Sequence, residues 1–281
     1  MKSKSLLIVA MATTLLSFTT HSINTMKIKS KDFNIKKDLL LVQLDCKTDV
    51  DDLHTAAALA TLVADSDFSK LKYHAVAGTY GIQEGLYVPP NDLMQLSFGN
   101  NWTDAHKNRD LAVQKVKDIV KKILRRKGDV WIAEAGQSDF TAELVKAIQQ
   151  DLPKINTLQR IHVVQHSDWN EKSTSPKDLD FVKKNTDYWK IPDGNAVGNG
   201  TPGFRDADYT NWKDNVGNPK LKEIWGLSTD LSNQYNGKDG RYNNHAVSAG
   251  GLDFSDLSEV CSILGIGDIK DVGEFFDRYG N

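Results

Sequence analysis

Short apolar runs alternate along the chain with segments in which apolar residues recur at helical spacing. The run LLLVQL (39–44) is typical of a strand buried on both faces of a parallel sheet. The segment 54–63 that follows is rich in Ala and Leu at helical spacing. The same reasoning predicts further strands at 71–78, 129–135, 160–166 and 189–192, and helices at 105–127, 142–150, 181–188, 219–227 and within 252–260.

This alternation predicts a single α/β domain with a mostly parallel sheet, flanking helices and right-handed crossovers. Residues 79–104 carry Gly, Pro and aromatic side chains without a regular period, so we expect a long loop there. Such a loop is either a lid over a pocket or a plain excursion on the surface. Residues 228–249 are polar and rich in turn residues.

The composition is that of a globular protein and argues against two classes of partner. The chain has 281 residues, of which 40% are hydrophobic and 26% charged, and its formal net charge is −2. A protein that binds nucleic acid or an anionic membrane through charge carries an excess of Lys and Arg. Nothing in the composition therefore favours nucleic acid or an anionic membrane as a partner. The oligomeric state is left open, and a homo-oligomer is compatible with the sequence.

The N-terminal segment has the pattern of a secretory signal. Lys2 and Lys4 precede an apolar stretch, 6–18, which is too short for a comfortable membrane span. We expect a signal peptide over 1–25 and a mature domain over 26–281, located in the periplasm or secreted. An uncleaved membrane anchor is the alternative.

The chain has two cysteines, Cys46 and Cys261. Two cysteines cannot form a disulfide framework, although export permits one bridge. Two buried free thiols are the favoured state.

Four carboxylates lie within eight residues at the end of the first predicted strand: Asp45, Asp49, Asp51 and Asp52. In an open α/β sheet, ligands bind at the carboxyl ends of the strands. Four neighbouring carboxylates repel one another unless a positive group lies among them, and a hard cation with oxygen ligands is one such group. The alternative is a well-capped helix whose acids are solvated.

Polar residues also follow the later predicted strands. The turn GQSDFT (136–141) has a glycine followed by Ser and Asp, which is typical of a turn between a strand and a capped helix. A turn shaped by backbone geometry alone explains it as well. SDWNE (167–171) brings polar groups and one large aromatic to the same edge of the sheet, and Asp193-Gly194-Asn195 follows the next strand.

The acid-rich stretch resembles the N-terminal signature of the nucleoside hydrolases, D-x-D-x-x-x-D-D after the first strand. Asp45 matches the first aspartate, and Asp51 and Asp52 match the final pair. Lys47 stands where the family has its middle aspartate. A divergent bacterial branch of this superfamily also lacks that residue and keeps the final pair, and this chain resembles that branch.

The resemblance continues through the turn at 136–141 and the Ser255-Asp256 pair, which is similar to the family's C-terminal His-Asp. It implies a Rossmann-like, nucleoside hydrolase-like fold and hydrolysis of N-glycosidic bonds. It also implies a bound Ca²⁺ ion. The ligands of the ion would be Asp52, Asp256 and the backbone carbonyl of Ala135, and Asp45 or Asp49 would complete its coordination shell.

The resemblance further implies where the sugar binds. Asp51 would bind the sugar hydroxyls and activate water. In the family, Asn and Glu side chains from the later part of the chain hold the ribose. The candidates for that role here are Asp168, Asn170, Glu171 and Asn195, although turn chemistry alone also explains Asn and Gly in this region.

Lys47 separates two hypotheses about function. In the family, the middle aspartate is a calcium ligand and the proposed base. If the Lys47 ammonium points into the acid cluster, it replaces the metal, and Asp49 or Asp51 would then serve as the base. The first hypothesis is an exported hydrolase of N-ribosyl or related glycosidic bonds, with an O-glycosidase as a variant. The second is a non-catalytic protein that binds nucleosides or carbohydrates on the same fold.

Overall fold

The run LLLVQL forms an inner strand of the sheet, β1 (Leu39–Leu44), and all six of its residues are buried. The structure is a computed structural model that describes residues 32–196 and 198–281. Leu40, Val42 and Leu44 face one half of the hydrophobic core. Leu39 and Leu41 face the other half. The strand is therefore covered by helices on both faces, as a continuous apolar run predicts.

The sheet has six parallel strands in the order β3-β2-β1-β4-β5-β6. This is the order of a Rossmann-like fold, and the chain changes direction across the sheet between β1 and β4. The prediction of an α/β protein with a parallel sheet and flanking helices is confirmed. The remaining strands are β2 (Lys72–Ala77), β3 (Trp102–Asp104), β4 (Val130–Ala135), β5 (Ile161–Gln165) and β6 (Asp187–Lys190), and a separate antiparallel pair consists of β7 (Arg205–Asp206) and β8 (Leu252–Asp253).

Helices cover both faces of the sheet and vary in length from one turn to five. Two short 3₁₀ turns, Ser66–Phe68 and Ser255–Leu257, lie between them. The helices are α1 (Asp51–Ala64), α2 (Asn91–Phe98), α3 (Arg109–Arg125), α4 (Asp139–Asp151), α5 (Thr157–Arg160), α6 (Asp168–Lys172), α7 (Pro176–Asn185), α8 (Trp212–Asn215), α9 (Pro219–Tyr235), α10 (His245–Ser248), α11 (Ser258–Leu264) and α12 (Val272–Tyr279).

The two halves of the core correspond to the two faces of the sheet. On one face, Leu53 of α1 and Trp225 of α9 belong to the same buried cluster as Phe276 of α12. On the other face, Val116 of α3 and Leu144 of α4 belong to the second cluster. This two-sided packing leaves only the ends of the strands free to build a binding site.

Several predicted boundaries are wrong. The loop predicted for 79–104 contains α2 and β3, because Leu93 and Met94 of α2 are buried in the core and β3 pairs with β2. The predicted helix 219–227 continues to Tyr235. The helix predicted for 181–188 is α7, which ends at Asn185, and Tyr188 lies in β6.

The signal segment predicted for 1–25 lies outside the described residues. Across residues 32–196 and 198–281, no helix combines the length and the apolar character that a membrane crossing requires. Residues 32–281 form one compact unit. Cys46 and Cys261 are both buried free thiols.

Candidate functional site

A cavity of about 340 Å³ opens at the carboxyl edge of the sheet, beside the ends of β1 and β4. Asp45 follows β1 and Gly136 follows β4, and both line the cavity. These two strands are neighbours, and the connections leave them in opposite directions. This arrangement creates a crevice between the loops, which is where open α/β sheets bind ligands.

Three carboxylates from distant parts of the sequence meet at this cavity. Asp51 and Asp52 occupy the first turn of α1, and Asp256 lies in the 3₁₀ turn that precedes α11. One carboxylate oxygen of each residue lies within 4.8 Å of the other two. Asp51 and Asp256 line the cavity, whereas Asp52 lies deeper.

Asp52, the most deeply buried of the three acids, lacks part of the hydrogen bonding that a buried charge needs. Asp52 Oδ2 accepts a hydrogen bond of 2.7 Å from the Cys46 amide, but its buried Oδ1 has no hydrogen-bond partner among the described residues. Burial raises the pKa of all three carboxyl groups well above the usual range, and neighbouring carboxylates raise it further. An unpartnered buried oxygen within a set of carboxylates fits a hard divalent cation such as Ca²⁺ or Mg²⁺.

The other two predicted metal ligands, Asp45 and Ala135, lie beside these acids. Asp45 Oδ1 accepts the Lys47 amide at 2.8 Å. Its Oδ2 accepts the side-chain amides of Gln83 at 3.0 Å and Gln137 at 2.8 Å. The Ala135 carbonyl accepts the Asp45 amide at 3.2 Å, which leaves one of its lone pairs for another partner. Asp45 is therefore held in place by the protein, with both oxygens already hydrogen-bonded.

Gly136 allows the Asp45 side chain to lie against the backbone of the turn that follows β4. Its φ is +131°, and a Cβ atom at this position would lie 2.7 Å from the Asp45 Cβ. Any larger residue would push Asp45 away and would strain the backbone. The glycine of the predicted turn is thus required by the packing of the site.

A second pair of acids, Asp49 and Asp253, lies next to the first group. Asn244 Nδ2 donates to Asp253 Oδ2 at 2.7 Å and to Asp49 Oδ1 at 3.2 Å. Arg205 Nε lies 3.2 Å from Asp253 Oδ2 and neutralises it. Burial, with a contribution from Asp253, raises the pKa of Asp49 from 3.8 to about 6. Asp49 lines the cavity and can accept a proton near neutral pH.

Lys47 also lines the cavity, but its ammonium is not placed among the acids. Its Nζ atom lies 4.4 Å from the centroid of the Tyr80 ring. It forms no ion pair with any carboxylate in the described parts of the chain. The Lys47 ammonium therefore forms no ion pair with Asp51, Asp52 or Asp256 that would take the place of a cation.

His166, which the sequence did not single out, lies directly after β5 and is almost fully buried. Its Nδ1 is 2.8 Å from Glu259 Oε1, and its Nε2 is 3.6 Å from Asp256 Oδ1. Burial alone would lower the pKa of His166, but Glu259, Asp256 and Asp193 together raise it to about 9. The imidazolium therefore bridges Glu259 of α11 and Asp256 of the acid cluster.

Of the predicted sugar-binding residues, the structure brings only Asn170 and Asn195 to this cavity together with Asp51. Asn195 Oδ1 accepts a hydrogen bond of 3.0 Å from Ser255. Asn170 Nδ2 donates to the His166 carbonyl at 3.2 Å. Both amides are thereby oriented by neighbours that also belong to the site.

Asp168 and Glu171 do not line this cavity, contrary to what their position in the sequence suggests. Asp168 is exposed and pairs with Lys190. Glu171 lies 2.6 Å from Lys183 Nζ and accepts a hydrogen bond of 2.9 Å from Tyr188. These partners come from α7 and β6, and they turn both carboxylates away from the acid cluster.

Comparison with protein-family models, with curated proteins and with solved structures finds no match to this chain.

We expect the metal-free protein to lose stability as the pH rises from about 4 to about 6. Asp45 and Asp49 have pKa values raised to about 6 and Glu134 to about 7, and the pKa values of Asp51, Asp52 and Asp256 are raised well above their usual range, so the folded state retains protons that the unfolded state releases in this interval. The buried His54 and His74, whose pKa values are lowered to about 3 and about 4, act in the opposite direction but are fewer than these acids. Stability falls with pH wherever the folded state binds more protons, by about 1.4 kcal/mol for each unit of pKa difference. Urea unfolding of metal-stripped protein across this range measures the slope.

Ca²⁺ at saturation should flatten this slope, because a bound cation stabilises the ionised carboxylates. Asp49→Asn should reduce the slope in the metal-free protein. The matched control is Asp168→Asn, which removes an exposed acid outside the cavity. A slope that is the same with and without Ca²⁺ would contradict the expectation.

Proposed function

We propose that this chain is an exported hydrolase of N-glycosidic bonds in ribonucleoside-type substrates, on a nucleoside hydrolase-like fold with a bound divalent cation. The observation that carries the proposal is the convergence of Asp51, Asp52 and Asp256 beside a cavity, with a buried Asp52 oxygen that lacks a partner. The resemblance of the acid-rich stretch to nucleoside hydrolases supports Ca²⁺ as the cation. The signal-like N-terminal segment supports a periplasmic or secreted location.

The residues have distinct roles in this proposal. Asp52 and Asp256 hold the cation, and the Ala135 carbonyl and Asp45 complete its surroundings. A bound divalent cation lowers the pKa of a water molecule and so supplies a nucleophile. Asp51 accepts hydrogen bonds from the sugar hydroxyls.

Cleavage of a glycosidic bond passes through a transition state that resembles an oxocarbenium ion. The carboxylates around the cavity stabilise the positive charge that develops on the sugar. Asp49, whose pKa is about 6, or Asp51 takes the proton of the attacking water. The C–N bond breaks, and the base leaves with the bonding electron pair and takes a proton from solvent. Asn170 and Asn195, which line the same cavity, bind the remaining hydroxyls.

Release of ribose from inosine or uridine tests the proposal directly. The purified mature chain should contain calcium by atomic absorption, and it should release ribose at a rate that chelation abolishes and added Ca²⁺ restores. Asp51→Asn should lower the rate without removing the metal. Absence of turnover on nucleosides by the calcium-loaded protein would refute the hydrolase.

Lys47 supports a second candidate function, a non-catalytic protein that binds nucleosides or carbohydrates. The resemblance places a water-activating aspartate at this position. The Lys47 ammonium lies over the Tyr80 ring, where it can neither bind a cation nor accept a proton. This candidate predicts that nucleosides or sugars raise the melting temperature of the protein while no ribose is released.

A further inference from the structure

A second cavity, of about 510 Å³, adjoins the acidic one at the same edge of the sheet. The two cavities share Ser167, Trp169 and Asp193 in their walls. The second cavity extends from these residues toward the start of α6 and the end of β6. A ligand held by the acid cluster can therefore continue into it past Trp169.

Trp169 lies between the two cavities, and its side chain is largely exposed to solvent. It is 53% exposed, and its ring stacks on no other aromatic ring in the described parts of the chain. Its backbone is fixed, because its amide donates to Ser167 Oγ at 3.0 Å and its carbonyl accepts the Ser173 amide at 2.9 Å. A large apolar face on a rigid backbone is a good surface for a ring of the ligand.

The polar groups of the second cavity argue against an anionic ligand. Its wall contains two lysines, Lys172 and Lys190, and two aspartates, Asp168 and Asp193, so their formal charges cancel. The Lys190 ammonium is also paired with Asp168 and lies 3.1 Å from Glu171 Oε2. A phosphate would have to displace these carboxylates before it could bind Lys190.

The same groups suit a neutral ring with many hydroxyls. Hydroxyl groups donate hydrogen bonds to carboxylates and accept hydrogen bonds from ammonium groups. Ile191 and Pro192 add apolar surface to the wall. A sugar ring has an apolar face of C–H groups and a polar edge of hydroxyls, and this cavity offers a matching face and a matching rim.

We propose that the second cavity is a subsite for an uncharged sugar ring, so that the substrate is a glycoside carrying a further sugar beyond the unit held by the acid cluster. This inference rests on the proposed function for the role of the first cavity. It assigns Trp169 as the ring-stacking residue of the subsite, with Lys172 and Asp193 at its polar rim.

Calorimetric titration of the calcium-loaded wild-type chain tests the subsite. The probes are ribose, glucose and galactose, the disaccharides maltose, cellobiose, lactose and sucrose, and the pair inosine and inosine 5′-monophosphate. We expect at least one disaccharide to bind about tenfold or more tightly than either of its component sugars. In Trp169→Ala this gain should fall to about twofold or less, and Trp169→Phe should recover part of it.

Leu158→Ala is the matched control, because Leu158 is 50% exposed but belongs to α5, which precedes β5 at the opposite edge of the sheet. It should leave the gain unchanged. The subsite is overturned if no disaccharide shows the gain, if the gain survives Trp169→Ala, or if only the 5′-monophosphate binds more tightly than its nucleoside, which would indicate an anion site.

The hydrolase and the subsite can fail independently. A disaccharide gain that depends on Trp169, without ribose release from nucleosides, supports the subsite and refutes the nucleosidase. Ribose release without any such gain supports the nucleosidase and refutes the subsite.

Discussion

Asp52→Asn should weaken Ca²⁺ binding by about 100-fold or more, which corresponds to about 2.7 kcal/mol. The substitution removes one negative charge from the three acids that meet within 4.8 Å and takes away a carboxylate whose Oδ1 has no other partner. The amide oxygen of Asn can still accept the hydrogen bond from the Cys46 amide, so the turn between β1 and α1 should keep its shape. Isothermal titration calorimetry of metal-stripped protein measures the loss.

The stability of the metal-free variant provides a second measurement. Burial and the neighbouring carboxylates raise the pKa of Asp52, so its ionised form is costly in the absence of a cation. Asp52→Asn should therefore raise the melting temperature of the metal-free protein while it lowers that of the protein in excess Ca²⁺. A variant that was simply misfolded would lose stability in both conditions.

Asp168→Asn is the matched control, since Asp168 is an exposed acid that pairs with Lys190 outside the acidic cavity. It should change the Ca²⁺ affinity by less than about twofold. If Asp52→Asn binds Ca²⁺ as tightly as the wild type, the three acids do not form a cation site, and the proposed hydrolase loses its metal.

The order of the strands explains why the site lies where it does. β1 and β4 are adjacent in the sheet but are separated in the chain by the excursion through β2 and β3. The loops after β1 and β4 therefore diverge, and the crevice between them receives Asp45 and Gly136 from its two sides. The first turn of α1 brings Asp51 and Asp52 to the same place, where carboxylates also suit the helix N-terminus.

The part of the site that depends on local structure could be predicted from the sequence. An apolar run followed directly by a helix fixes where Asp51 and Asp52 lie relative to the sheet, because only a few residues separate the two elements. Asp256 could be assigned only through the resemblance. Its approach to Asp51 depends on how β8 and the 3₁₀ turn Ser255–Leu257 pack on α1, and no local pattern determines such packing.

The residues that were missed or misplaced depend on long-range contacts. His166 directly follows β5, a correctly predicted strand, but its importance lies in its contacts with Glu259 and Asp256, which are about ninety residues further along the chain. Asp253 is significant because Arg205 and Asn244 surround it. Glu171 is the converse case, a residue that its sequence position wrongly assigned to the site. Ion pairs with Lys183 and Lys190 hold its carboxylate away from the acidic cavity.

Lys47→Asp should strengthen Ca²⁺ binding by about tenfold or more, or about 1.4 kcal/mol. The substitution removes a positive charge from the wall of the acidic cavity and adds a carboxylate where the resemblance places a metal ligand. The Lys47 amide already donates to Asp45 Oδ1 at 2.8 Å, so the backbone at this position is tied to the acid cluster. A shorter acidic side chain from the same backbone would point into the cavity once the contact with Tyr80 is lost.

Lys47→Gln separates the two contributions, because it removes the positive charge without adding a carboxylate. The glutamine variant should gain about threefold or less in Ca²⁺ affinity, since a charge at the edge of an open cavity is partly screened by solvent. The additional gain in Lys47→Asp then measures the new ligand itself. Equal affinities for the two variants would place residue 47 outside the coordination shell, and the wild-type protein would then have to bind its cation through Asp52, Asp256 and their neighbours Asp45 and Ala135 with no contribution from this position.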